Sequence, residues 1–392
     1  MKYKETSIFL FLSFLFFYCP RLVFFDLPGS TSSIRLDIIF FFLLIGLSFL
    51  ISLNKLTSVK VKLLAAVSIS VFTFLGFLYI FRGNSPIYSL AQLLWYASII
   101  FMFVFSKSYI NEGEESTNRV LRFFRIFINL NLMSHILSWI LNLGGIANTS
   151  SQISLMYGIF NMPYAFALMI GLYSLIVFSG FLKVSLVEKI ALIIALFIAD
   201  SKIVLGGFFI SLFFILQFRN KLLYLLSIPF VIFFVIPAIV NVDLRSLQFL
   251  FYSIDDLIQN PSLNVRLFNF YNYLSWVDIG DYLLGAGPLS YMQYSIQYGE
   301  PGPLDVFYLR LLSDFGLIPV LIIVSLFILY CLKNIKVFFR GNNLLISIFV
   351  FLFLYSFFNE GLLVIKTGHI CAFLIGIVFW KIKSEFEKNP NS

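Results

Sequence analysis

The chain has 392 residues, of which 60% are hydrophobic and 12% are charged, and its mean hydropathy is +0.96. Soluble domains carry about 25% charged residues, so this composition excludes an ordinary soluble protein. An apolar stretch of about 20 residues crosses the hydrocarbon core of a bilayer, and such stretches recur through the chain with short gaps. The composition therefore predicts an all-α polytopic integral membrane protein.

We predict about 12 transmembrane helices, which form a single membrane domain over residues 1–392. In chain order they lie at 7–25, 37–53, 63–81, 87–105, 123–142, 160–181, 187–199, 203–217, 222–240, 304–331, 343–358 and 364–380. The span at 187–199 is short. The segment at 304–331 is long enough to begin outside the membrane.

The positions of Lys and Arg orient these spans. Cytoplasmic loops of membrane proteins carry an excess of both residues, which also explains the net charge of +8 without a nucleic-acid partner. If the N-terminus is cytoplasmic and the spans alternate, most of the 27 Lys and Arg fall on the cytoplasmic side. Both termini are then cytoplasmic. The basic residues left on the outer side are Arg21, Arg35, Arg82, Lys202, Arg245, Arg266, Arg310 and Lys366.

One long polar segment, residues 241–303, interrupts the apolar pattern between the ninth and tenth predicted spans. The alternation places this loop outside the cytoplasm. Residues 244–259 have apolar side chains at helical spacing, which predicts a helix lying on the membrane surface. After a Pro261 break, Asn264 could cap a second helix that runs through Trp276 and is rich in aromatic residues. The Gly285-Ala286-Gly287 turn returns the loop toward the membrane.

Charged side chains gather where the predicted spans meet the outer surface. Asp200 and Lys202 lie between the seventh and eighth spans, and Arg310 and Asp314 lie four residues apart on one helical face. Each pair is either a simple surface or helix ion pair, or part of a polar pocket at the outer leaflet. Arg266 is either a solvated cation or a phosphate clamp, since a guanidinium can bind phosphate through two hydrogen bonds.

The sequence contains no recognised metal or nucleophile motif. His135 and His369 both lie in predicted spans, where a lone His more often bonds one helix to another than acts as a catalyst. The spacings of zinc sites, of HExxH, of GxSxG and of the Walker A loop do not occur. We therefore expect no cofactor and no metal.

Several segments together resemble a known family. They are Asp200-Ser-Lys-Ile-Val-Leu-Gly, then Asn264-Val-Arg and Trp276 in the long loop, then Leu284-Gly-Ala-Gly, and finally Asp305-Val-Phe-Tyr-Leu-Arg-Leu-Leu-Ser-Asp-Phe-Gly. In this order the chain resembles the O-antigen polymerase (Wzy) and O-antigen ligase superfamily of bacterial envelope glycosyltransferases. Ligases have a characteristic His at the start of the span after the loop. This chain has Asp305 there, which favours the polymerase.

The resemblance implies a GT-C-like architecture and a metal-independent inverting glycosyltransferase. Its donor would be an oligosaccharide repeat unit linked to undecaprenyl diphosphate, and the growing chain would be transferred to a new unit. Cations must stabilise the charge that develops on the departing diphosphate, and the candidates are Arg266, Lys202 and Arg310. Asp305 is the candidate base or hydrogen-bond acceptor for the attacking hydroxyl.

Aromatic rings pack against the C–H face of a sugar, so Tyr271, Tyr273 and Trp276 are candidates for sugar binding. The resemblance places the protein in the bacterial inner membrane, with the reaction at the periplasmic face. A chain-length regulator and a flippase are expected partners. Two alternatives stay open: an O-antigen ligase, and a flippase or other transporter of lipid-linked oligosaccharides. Transporters usually show internal repeats, and none is visible here.

Overall fold

A computed structural model describes residues 23–26, 33–35, 43, 46, 86–143, 163–198, 201–216, 268, 271–287, 307–339, 343–356 and 367–388. The predicted spans at 63–81 and 222–240 lie outside the described residues, as do nearly all of the first two spans. The predicted surface helix at 244–259 and two candidate site residues, Arg266 and Asp305, also lie outside them.

The described residues are mainly α-helical, as the apolar pattern predicts. The helices are α1 Pro86–Glu112, α2 Glu114–Leu143, α3 Pro163–Phe178, α4 Leu186–Ile198, α5 Lys202–Ile215, α6 Ile279–Leu284, α7 Phe307–Phe315, α8 Leu317–Lys333, α9 Ile335–Phe338, α10 Leu344–Ser356 and α11 Thr367–Lys388. Residues 271–276 are also helical.

A short β-hairpin departs from the all-α prediction. Strand β1 Val23–Asp26 pairs with strand β2 Ser33–Arg35 in an antiparallel ladder, with an irregularity between Val23 and Phe25. The predicted first span at 7–25 is therefore wrong at its last three residues, which belong to β1. Val, Phe and Ile suit a strand as well as an apolar helix, so composition alone does not separate the two.

Gly316 divides the long segment that the sequence predicts as one span at 304–331. Its φ of +79° and ψ of 170° fit neither α7 nor α8, and few residues other than glycine adopt this conformation. The residues next to Gly316 are Phe315 and Leu317, and hydropathy averaged over a window therefore does not reveal the break. The break separates the short amphipathic helix α7 from the apolar helix α8.

Helices α1 and α11 form the most extensive helix pair among the described elements, and they run parallel. Near their N-terminal halves, Ser98 Oγ lies 2.6 Å from His369 Nε2. Further along, Trp380 Nε1 donates a hydrogen bond to the Phe103 carbonyl oxygen at 3.1 Å. Gly376 permits the close crossing, because a Cβ there would lie 2.6 Å from the same carbonyl oxygen.

Contacts at both ends of a helix pair also give a direction, since Gly207 of α5 lies near Phe351 and Leu354 in the second half of α10. Helices α5 and α10 are antiparallel, because Asn343 at the start of α10 donates to the carbonyl oxygen of Phe214 at the end of α5. Helices α2 and α4 meet at their first halves, where Arg125 pairs with Glu188. The parallel pair α1–α11 and the antiparallel pair α5–α10 have the relative directions that alternating spans would give.

The charges of this helix assembly are strongly one-sided. At one end of the assembly, helices α1, α3, α5, α8 and α11 end and helices α2, α4 and α10 begin. We call this the cationic end. Of the Lys and Arg in the described residues, all but Arg35, Lys202 and Arg310 lie at or near it: Lys107, Arg119, Arg122, Arg125, Lys183, Lys189, Lys333, Lys336, Lys381, Lys383 and Lys388. Arg125 is held there by Glu188 through a 2.6 Å ion pair, and Tyr173 donates to the same carboxylate at 2.8 Å.

Within the described residues, the stretch Glu114–Leu137 is long and apolar enough to cross a bilayer. The shorter apolar helices are Ala165–Phe178, Ile203–Ile215, Leu317–Lys333 and Leu344–Ser356. Helix α8 has no buried residue, although its sequence is almost entirely apolar. Helix α2 also exposes an apolar stripe, made of Ile126, Leu130, Met133, Leu137 and Ile140.

Candidate functional site

The site lies at the opposite end of the assembly, where the long loop meets the helix break. The backbone of Gly285 packs directly on the backbone of Gly316. A Cβ on Gly285 would lie 2.6 Å from the Asp314 carbonyl oxygen, and a Cβ on Gly316 would lie 2.5 Å from the Leu284 carbonyl carbon. No side chain fits at either position. We call this the glycine contact; the amide of Ala286 extends it by donating to the Ser313 carbonyl oxygen at 3.3 Å.

The sequence around each glycine explains why the chain turns there. Gly285 ends helix α6 with φ +81° and ψ 147°, and its amide donates to the Asp281 carbonyl oxygen at 2.7 Å. Gly316 has a similar positive φ, and its amide donates to the Leu312 carbonyl oxygen at 2.8 Å. Two turns that both require glycine therefore lie against each other. The contact joins two of the segments on which the family resemblance rests.

Tyr273 anchors the loop to α7 beside this contact. Its side chain is fully buried, it packs with Trp276 against Leu309 and Leu312, and its hydroxyl donates to the Leu312 carbonyl oxygen at 3.4 Å. Burial raises the pKa of the Tyr273 hydroxyl above its ordinary value, and nearby acidic groups, Asp314 among them, raise it further. The hydroxyl therefore stays protonated and acts as a hydrogen-bond donor.

Asp314 is the most buried charged group beside the glycine contact. Its side chain is 1% exposed, and its Oδ2 accepts a hydrogen bond from the Tyr96 hydroxyl of α1 at 2.5 Å. The same oxygen lies 3.9 Å from Arg310 Nε, one helical turn earlier on α7, and the Arg310 side chain is 18% exposed. The Tyr96 ring also packs edge-on against Phe315, with ring centroids 4.9 Å apart. Asp314 therefore links α1, α7 and the loop turn.

The structure brings some of the predicted site residues together. Arg310 lies on α7, whose Leu309 and Leu312 pack into the cluster of Tyr273 and Trp276. Trp276 is half-buried and Tyr271 is 69% exposed. Tyr273 is fully buried, so in this structure it has a packing role, and its sugar contact stays a prediction.

Lys202 begins α5 at the same end of the assembly as Arg310. Ser201 caps this helix, because its side-chain oxygen accepts a hydrogen bond from the Val204 amide. Helix α5 packs mainly against α3 and α10. The start of α5 therefore lies at the same end of the assembly as Arg310, and the described contacts do not bring it against Arg310; the role of Lys202 stays a prediction.

Sequence reasoning missed Tyr96. It recognised Arg310 and Asp314 as a helix pair, but it did not identify a partner from another span. The sequence offered one signal, the Tyr96 hydroxyl within the apolar run of α1. Tyr is common at membrane boundaries, so this hydroxyl did not stand out. Sequence reasoning also did not pair His369 with Ser98, although it favoured a helix–helix hydrogen bond for a lone His in a span. Both residues are buried, and their contact joins α1 to α11.

The fold and the site define a class. The described part of the chain is an α-helical assembly with one strongly cationic end. At its other end a helix break carries a buried carboxylate, a partly exposed guanidinium and an aromatic cluster. Such a site can bind an anionic group through Arg310 and can stack a sugar or another flat apolar face on its accessible rings. The chain matches no protein-family model, no curated protein and no solved structure.

Proposed function

We propose that this protein is a polytopic membrane protein of the bacterial inner membrane, with its cationic end and both termini in the cytoplasm. The one-sided charge supports this orientation, since cytoplasmic ends of membrane helices are rich in Lys and Arg. The relative directions of the packed helices agree with it. The exposed apolar surfaces of α2 and α8 suit a lipid environment, because water would disfavour so large an apolar area.

We further propose that it is an O-antigen-type polysaccharide polymerase acting at the periplasmic face. The observation that carries this proposal is the glycine contact. It joins the Leu284–Gly287 turn of the loop to Asp314 and Gly316, away from the cationic end. These are two of the segments that resemble the polymerase family. Their contact docks the loop turn on the charged end of α7, which is the arrangement that a substrate site at the lipid headgroups would need.

The proposed reaction joins two lipid-linked oligosaccharides. A hydroxyl oxygen of the new repeat unit attacks the anomeric carbon of the growing chain, and the bond from that carbon to the undecaprenyl diphosphate oxygen breaks. The bonding electrons leave with the diphosphate, whose added negative charge is stabilised by Arg310, Lys202 and Arg266. Asp305 accepts the proton of the hydroxyl. Attack opposite the leaving group inverts the anomeric centre.

Deleting the gene tests this function in the organism. A strain that lacks a polymerase should display its surface glycolipid core capped with a single repeat unit, and a plasmid copy should restore long chains. Electrophoresis of the extracted glycolipid separates these species. A bare core with accumulated lipid-linked polymer would instead indicate a ligase, and single units retained on the cytoplasmic side would indicate a flippase. Either of these results would refute the polymerase.

A further inference from the structure

We infer that the cationic end carries a binding site for an anionic phospholipid of the cytoplasmic leaflet, formed around the short helix α9. The inference rests on the proposed orientation in the membrane and goes beyond it, since an excess of Lys and Arg does not by itself make a site. Around α9, positive charge and exposed apolar surface occur together. Lys333 and Lys336 alternate along the chain with Leu332, Ile335 and Phe339, which are 56%, 46% and 66% exposed.

Helix α9 is firmly attached to the helix assembly on its inner side. Val337 is buried, and Phe338 packs against the same core. Asn334 joins α8 to α9 and fixes the turn between them. Its side-chain amide donates to the Tyr330 carbonyl oxygen at 2.8 Å, and its side-chain oxygen accepts a hydrogen bond from Lys383 of α11 at 2.9 Å. The lysines and apolar side chains on the outer side of this turn therefore project from a fixed support.

The ring of Trp380 holds two ammonium groups beside this turn. Lys107 Nζ of α1 lies 4.7 Å from the ring centroid, and Lys383 Nζ lies 5.4 Å from it. The ring is itself fixed, because its Nε1 donates a hydrogen bond to the Phe103 carbonyl oxygen at 3.1 Å. A cation–π contact orients an ammonium group without neutralising its charge. Lysines from α1, α8, α9 and α11 are thus gathered in one region.

The basic residues of the cationic end fall into two groups. Arg119 and Arg125 each form an ion pair with a glutamate. Within the part of the chain that the structure describes, Lys107, Lys333 and Lys336 form no ion pair with a carboxylate. The region around α9 therefore has positive charge that the protein does not itself balance, and an anion from outside the chain can complement it.

The apolar neighbours of the lysines identify the kind of anion. A soluble anion would balance the charge but would leave Leu332, Ile335 and Phe339 in water. An anionic phospholipid supplies a phosphate for the lysines and acyl chains for the apolar side chains in a single molecule. Helix α8 leads away from this turn with an apolar surface that has no buried residue, so acyl chains can lie along it. The long stem of Lys suits this boundary, because it can cover apolar surface while the ammonium group reaches the headgroup.

The test compares two lipids that differ in charge and share their acyl chains. Purified full-length protein in detergent is titrated with phosphatidylglycerol or phosphatidylcholine, and bound lipid is counted by native mass spectrometry. Phosphatidylglycerol should bind at least about tenfold more tightly. Lys333→Gln and Lys336→Gln should each weaken its binding about fivefold and leave phosphatidylcholine unaffected. Phe339→Ser should weaken the binding of both lipids, since it removes apolar contact area. All three side chains are exposed, so the variants should fold normally.

Lys189→Gln is the matched control. It removes the same charge at the same end, but from α4, which packs mainly against α2, α3 and α5. It should leave phosphatidylglycerol binding unchanged. Equal affinities for the two lipids, or equal losses in Lys189→Gln and Lys336→Gln, would overturn the inference. Displacement of the bound lipid by inorganic phosphate would also overturn it, because the site would then accept any anion.

These measurements do not depend on orientation, so a negative result would leave the proposed function standing. Orientation has its own readout. Lys336→Cys in spheroplasts should not react with a membrane-impermeant maleimide, with wild-type protein as the blank for the native cysteines. Labelling of this cysteine from outside would refute the proposed orientation, and for that separate reason would also refute the cytoplasmic leaflet as the source of the lipid.

Discussion

Replacing Gly316 by Ala is the sharpest perturbation that this structure offers. The new methyl group would overlap the backbone nitrogen of Gly285 and would lie 2.5 Å from the Leu284 carbonyl carbon. These are backbone atoms on both sides, so no flexible side chain can move away to make room. The residue would also have to adopt φ +79° with ψ 170°, a region that is essentially restricted to glycine.

Two costs contribute to the expected effect. Holding a residue other than glycine in this backbone region costs about 1–3 kcal/mol. Forcing a methyl group into a closely packed contact costs about 1–3 kcal/mol more, because the loop must move away from the helix break. Gly316→Ala should therefore lower the free energy of unfolding by about 2–6 kcal/mol, a large fraction of the 5–15 kcal/mol typical of a folded domain.

Unfolding of the purified protein in detergent, followed by circular dichroism, measures this loss. Gly280→Ala is the matched control, since it lies in α6 of the same loop and a Cβ there would meet no atom within 4 Å. The control should be neutral or stabilising by up to about 1 kcal/mol, because Ala favours a helix over Gly. If Gly316→Ala is as stable as the control, the glycine contact does not exist as described.

Three further substitutions test other parts of the account. Gly376→Ala should lower the free energy of unfolding by about 2 kcal/mol in the same assay, because its methyl group would press on the α1 backbone. An unchanged midpoint of unfolding would mean that α1 and α11 do not cross closely. Arg125→Ala should lower the free energy of unfolding by about 2–3 kcal/mol, because it leaves Glu188 buried without its cation. Arg119→Ala, at an exposed ion pair, is the control and should cost less than about 1 kcal/mol. Equal losses would contradict the structural role of the buried pair. Arg266→Ala should abolish polymer chains in a complemented deletion strain while the protein still accumulates in the membrane, and near-normal chains would reject the phosphate-clamp role.

The helices could largely be predicted from the sequence, because long apolar runs have few other structures available to them. The described helices α1, α3, α5 and α10 each overlap a span that hydropathy alone predicts. Their directions also agree with the positions of Lys and Arg, since one rule about charge orients every span at once.

The helix break and the hairpin could not be predicted in the same way. Hydropathy averages over a window, and the residues on both sides of Gly316 are apolar, so the run looks continuous. The positive φ of Gly316 in the structure reveals the break. Likewise, the apolar residues of β1 carry no feature that excludes a helix.

The candidate site was predicted in part. The motif segments containing Arg310 and Asp314 were recognised, and the loop turn at Gly285 was expected to return the chain to the membrane. The link from Asp314 to Tyr96 could not be predicted, because the two residues are separated by 218 positions and a single sequence does not show which spans are neighbours. The burial of Tyr273 was missed because an aromatic residue in a loop suits both a sugar site and a packing contact.

Polymerisation by the purified protein is the decisive test of the proposed reaction. Purified protein in liposomes is given undecaprenyl-diphosphate-linked single repeat units from the native strain, in buffer containing a metal chelator. A polymerase should give a ladder of products with two or more units and should release undecaprenyl diphosphate. Folded wild-type protein that leaves the single units unjoined under these conditions would contradict the proposed reaction.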